Sequence, residues 1–140
     1  KVIGDLFYNK EQYINFIPSI NSDISILISY LNIQFSSENM NAKYVWGFIP
    51  KQSWLDMKLQ TPNYSSGELK IISDCMPGVS YRLDDFNNMW DTYYDSTSRW
   101  LCVGDYNLID TDLAVEFATN TVAILQENKL KSLWLKPEIV

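Results

Sequence analysis

Apolar residues in this chain arrive in short runs, rich in β-branched and aromatic side chains and bounded by Pro, Gly, Asn, Asp and Ser. That punctuation builds strands and leaves little room for long helices. Ala42 to Pro50 carries Tyr44, Val45, Trp46, Phe48 and Ile49, and Trp54 to Gln60 alternates Leu55, Met57 and Leu59 with Asp56, Lys58 and Gln60. Both predict strands. Pro62 to Gly67 and Met76 to Gly78 read as turns, flanked by further strands over residues 68–72 and 79–83. After a strand over 99–103, the runs 114–118, 121–126 and 130–135 predict a meander that turns at Thr119-Asn120 and at Glu127-Asn128.

Two segments carry helical spacing instead. In the first, Tyr13, Phe16 and Ile17 recur after Asn9 as a cap, and Pro18 stops the helix. In the second, from Asp84 to Asp95, Phe86, Met89, Trp90 and Tyr93 fall at i, i+3, i+4 and i+7, leaving an acidic side. The run from Asp23 to Phe35 fits either period, and its β-branched isoleucines favour a strand. The expected fold class is therefore α+β: a mostly antiparallel β-sheet with two or three short helices. With 140 residues, no repeat and no linker, residues 1–140 are expected to form a single domain.

No apolar run approaches the roughly 18 residues that a spanning helix requires. The first residues, Lys1-Val-Ile-Gly-Asp5, lack the apolar stretch of a signal peptide, which points to the cytoplasm. Cys75 and Cys102 are expected to be buried thiols. Frequent Asn, Ile, Lys, Ser and Tyr with little Ala or Gly resembles the usage of an AT-rich bacterial gene.

The net charge of −6 is concentrated in one place. Acids and bases balance from Lys1 to Leu83, and the segment after Phe117 is slightly basic. Between them, Asp84, Asp85, Asp91, Asp95, Asp105, Asp110, Asp112 and Glu116 are opposed by Arg99 alone. A field of that kind attracts cationic surfaces and speeds encounter with them. It repels nucleic acid, whose phosphates are bound by basic side chains.

The chain contains no histidine, which removes the commonest general base and metal ligand and every Ser-His-Asp or Cys-His arrangement. Two distant cysteines do not make a zinc site. The scattered glycines cannot form a phosphate-cradling loop, so no nucleotide cofactor is expected. The 105–112 loop lacks the ligand spacing of an EF-hand, so no calcium site is expected either.

The stretches Trp90 to Asp95, Trp100-Leu-Cys-Val-Gly104-Asp105, Ala114-Val-Glu-Phe-Ala118 and Leu130 to Pro137 resemble small bacterial immunity proteins. Such proteins are encoded beside polymorphic toxins, including those of contact-dependent growth inhibition. The resemblance implies a non-enzymatic cytosolic protein that binds and neutralises the toxic C-terminal domain of a cognate effector, commonly a nuclease with a basic substrate surface. These families share no common contact residues, so the contacts are taken from charge and periodicity: Asp91, Asp95, Asp105, Asp110 and Asp112, with Tyr94 and Tyr106 as rim anchors. On this reading, reversing Asp91 and Asp95 to lysine slows association and leaves the melting temperature nearly unchanged.

Two other classes compete. A carbohydrate- or peptide-binding module would present Trp46, Trp54 and Trp100 to solvent as a platform. A small glycosidase would set Asp91 or Asp95 against Asp105 or Glu116 in a cleft.

Overall fold

The computed structural model describes residues 1–72 and 75–140, and among them the chain is almost entirely strand. One sheet contains β1 (Asp5–Tyr8), β2 (Tyr13–Ile17), β3 (Ile24–Ile28), β4 (Leu31–Phe35), β5 (Ala42–Phe48), β8 (Val79–Arg82) and β14 (Glu138–Ile139). The other contains β6 (Trp54–Asp56), β7 (Ser65–Ser66), β9 (Thr92–Tyr94), β10 (Leu101–Gly104), β11 (Leu113–Ala118), β12 (Thr121–Gln126) and β13 (Lys129–Leu135). The orders are β14-β1-β2-β5-β4-β3-β8 and β6-β9-β10-β13-β12-β11-β7.

The interior of each sheet is antiparallel. All four edges, β14 on β1, β8 on β3, β6 on β9 and β7 on β11, are closed by short parallel strands. Both sheets are therefore mixed. This corrects the α+β expectation, since the described residues contain no α-helix and only a single 3-10 turn at Lys51–Ser53.

Both predicted helices fail for the same physical reason: side-chain carbonyls and carboxylates take backbone N–H groups that a helix would need. The Asn9 side chain accepts the Tyr13 N–H at 3.1 Å, closing the turn between β1 and β2. β2 then alternates, with Ile14 and Phe16 buried and Tyr13 and Ile17 exposed. In the second segment Asp85 accepts the Asn87 N–H at 3.0 Å, and Asp84 accepts the Trp90 N–H at 3.1 Å. The chain loops from Asp84 to Asp91 and enters β9 at Thr92. The ambiguous run is a hairpin, turning at Ser29 with φ 56° and pairing Ile24 with Phe35 through Ile28 with Leu31.

The sheets face each other across one core. The first contributes Leu6, Ile14, Ile28, Leu31 and Val45, and the second Leu101, Val103, Phe117, Leu133 and Leu135. The second sheet also buries its outer face. Cys102, Val122, Ile124, Trp100 and Trp134 form a smaller cluster there, covered by Leu59 and by the loop carrying Tyr106 and Leu108. Covered on both sides, β12 is buried continuously from Thr121 to Ile124 and β13 from Ser132 to Leu135. Burial pushes the Cys102 thiol up to about 12, so it is an inert packing group. Among the described residues, no helix is long and apolar enough to cross a membrane.

Candidate functional site

The eight acids from Asp84 to Glu116 divide into two sets of four. Asp84, Asp95 and Glu116 are buried, and the Asp112 side chain is 4% exposed. Asp85, Asp91, Asp105 and Asp110 are exposed. The inward set holds the chain together. Asp84 pairs with Arg82 at 2.8 Å, Asp112 with Lys131 at 2.7 Å and Glu116 with Lys1 at 2.6 Å. Asp95 instead accepts the N–H groups of Leu59, Thr97 and Ser98, which fix the β9–β10 turn and the segment crossing the outer face.

Two of the inward carboxyls, Asp95 and Asp112, are held below the usual range. The Leu59 N–H, followed by those of Ser98 and Thr97, outweighs burial and holds the Asp95 carboxyl below the usual range. Burial opposes ionisation of Asp112, yet the Lys131 ammonium and the Ile109 N–H prevail and its pKa is also lowered. The Ser37 hydroxyl and N–H lower that of Asp23. All three folded-state values lie below the unfolded one of about 4. Their stabilisation is therefore complete above that pH and is lost as pH falls through the folded values. With no histidine, the urea midpoint should be flat from about pH 5 to 8 and fall below about pH 4. Asp95→Asn should lower the plateau and reduce the acid-side slope; a slope unchanged in that variant would contradict the assignment.

Two of the exposed acids meet at one end of the second sheet. Asp91 precedes β9, Asp105 follows β10, and the Asp91 carbonyl accepts the Gly104 N–H at 3.0 Å to bring the two ends together. Both line a cleft of about 490 Å³ with Asn88, Tyr93, Glu127 and Lys129. The hydroxyl of Tyr93 is pushed up first by burial, then by the charge of Asp91, with Tyr106 and Asp105 adding to it. Glycine is required at 104: φ is 111°, and a Cβ would lie 2.7 Å from the Lys131 carbonyl and 2.8 Å from the Trp90 ring. The loop after Asp105 is pinned to Lys131 at both ends, by the Asp105 N–H to its carbonyl at 3.2 Å and by its ammonium to Asp112. Asp110 is exposed on that loop, at a neighbouring polar cleft of about 240 Å³.

Of the residues expected from sequence, Asp91 and Asp105 come together. Tyr106 stands beside them, its ring 4.8 Å from that of Tyr93, and Asp110 lies on the same loop. The other three are placed elsewhere. Asp95 is buried at the opposite end of β9, Asp112 is neutralised by Lys131, and Tyr94 packs on Trp54 against the inner core with ring centroids 4.9 Å apart. Sequence reasoning missed Glu127, although the predicted Glu127-Asn128 turn of the meander already put it at the end of the sheet that follows β10. It also missed Asn88 and Tyr93, hidden by the helical reading.

The three tryptophans do not form a platform. Trp100 is buried under the outer face of the second sheet, Trp54 is half-buried between Tyr8 and Tyr94, and Trp46 lies exposed on the first sheet. No protein-family model and no curated protein matches the chain.

Proposed function

We propose that the chain is an immunity-type protein of the bacterial cytoplasm. It binds a cognate cationic toxin domain, a nuclease, and blocks its basic substrate surface with the acidic end of the second sheet, performing no chemistry itself. One observation carries this reading. Once the inward carboxylates have taken Lys1, Arg82 and Lys131, Asp91, Asp105 and Asp110 still face solvent at that end, and among the described residues none of them has an ion pair. Lys129 and Glu127, also at the first cleft, offset each other. The remaining field favours a partner rich in Lys and Arg and raises the rate of encounter. The site rests on two pinned loops and a hairpin turn of a sheet buried on both faces, so little order has to be gained on binding.

The direct test uses the C-terminal domain encoded by the gene immediately upstream. Mixed with this protein, it should elute as a one-to-one complex, and its nuclease activity should fall to zero at one equivalent. The complex should weaken steeply between low and high salt. Absence of a complex, or inhibition that is insensitive to ionic strength, would overturn the reading.

A further inference from the structure

A second cleft, of about 390 Å³, adjoins the acidic one and shares with it the wall from Asn88 to Asp91. It opens between the β3–β4 turn, the end of β5 and the 86–91 loop. Its rings are Tyr30, Phe48, Phe86 and Trp90, and among the described residues Asp91 is the only charged one lining it. Exposed apolar side chains gathered in one groove mark binding surfaces, and of the rings lining this one Phe86 is 64% exposed and Tyr30 48%. Phe48 supports the Tyr30 side, its ring 6.4 Å from Tyr30 and 5.4 Å from Tyr13. Phe86 already takes a guanidinium, since Arg82 lies 5.1 Å from its ring centroid.

We propose that this cleft holds one arginine side chain of the protein partner, its guanidinium stacked among Phe86, Tyr30 and Trp90 and hydrogen-bonded to Asp91. The proposal rests on the cationic-partner reading above and names the anchor of that interface. A purely apolar anchor would strip water from the Asp91 carboxylate without replacing its hydrogen bonds, and an anion would be repelled by it. An arginine satisfies both halves of the lining, because its flat, weakly hydrated head stacks on aromatic faces and donates in a fork to a carboxylate. The volume lies at the small end of ligand sites, as suits one side chain. With the anchor seated, neighbouring basic residues of the same partner would lie over Asp105 and Glu127 across the shared wall.

The probe is the capped peptide Gly-Gly-Arg-Gly-Gly, with a citrulline version of equal shape and no charge, titrated into the 15N-labelled protein. The arginine peptide should shift the amides of Phe86, Asn88 and Asp91 and the Trp90 indole N–H saturably, with a millimolar Kd. Phe86→Ala and Asp91→Asn should each weaken binding about fivefold, and Tyr30→Ala should act in the same direction. Equal binding of the citrulline peptide would overturn the proposal, as would shifts confined to Asp105, Asp110 and Glu127. The latter pattern would leave the acidic interface standing. Silence throughout the spectrum would also overturn the anchor, while the toxin complex would still be judged by its own titration.

Discussion

Asp84→Ala is expected to melt about 10 °C below the parent protein, the largest loss for a single alanine substitution in the acidic segment. The side chain is fully buried, and both of its oxygens are in use. One accepts the N–H groups of Ser29 at 2.8 Å and Trp90 at 3.1 Å; the other receives the Arg82 guanidinium at 2.8 Å. Alanine would leave Arg82 half-buried beside two donors with no acceptor, and breaking such a pair costs about 3–5 kcal/mol. The damage should reach the site, because this carboxylate ties the β3–β4 turn and β8 to the loop carrying Phe86, Trp90 and Asp91. Asp85→Ala is the control: among the described residues its exposed carboxylate accepts only the Asn87 N–H, and the expected cost is below about 1 kcal/mol. Calorimetry on both variants checks the contrast. Equal melting temperatures would mean that Asp84 does not clamp the loop.

Adjacent aspartates with opposite fates show where sequence reasoning ran out. Charge counting finds the acidic segment but cannot tell Asp84 from Asp85, because the groups that neutralise Asp84, Asp112 and Glu116 come from β8, β13 and Lys1. Asp95 did carry a local signal. Asp-Ser-Thr-Ser between two apolar runs is a side-chain-capped turn, and its carboxylate accepts the Thr97 and Ser98 N–H groups as that pattern requires.

The meander was legible because local chemistry decides it. Asn120, Glu127 and Asn128 take positive φ at the predicted turns, and β11, β12 and β13 fall within a residue of the expected bounds. The supposed helix at Asp84 was lost to competition, since the apolar spacing was real but Asp and Asn side chains captured the backbone donors. Of the parallel edges, β6 and β8 fall inside runs that read as strands, over 54–60 and 79–83, but β7 and β14 could not be read at all. Two residues at Ser65–Ser66 acquire strand geometry only from β11, and two at Glu138–Ile139 only from β1.

Reversing charge at the exposed pair, Asp91→Lys with Asp105→Lys, should slow association with the toxin domain about a hundredfold at low salt. Both side chains are exposed at the same cleft and, among the described residues, neither forms an ion pair, so the double variant changes the local field by four charges and gives up one exposed bond, the Asn107 N–H to the Asp105 carboxylate at 2.9 Å. Its melting temperature should stay within about 2 °C of the parent. Stopped-flow mixing over a salt series isolates the effect. The gap should narrow to a few-fold near 1 M salt, where the screening length is about 3 Å, because the effect is one of steering. Asp95→Lys behaves differently from the expectation set by the sequence. It places an ammonium among three backbone donors, so the fold should fail before any association can be timed. If the Asp91 and Asp105 double variant instead associates at the parental rate at every ionic strength, the partner does not approach this end of the sheet.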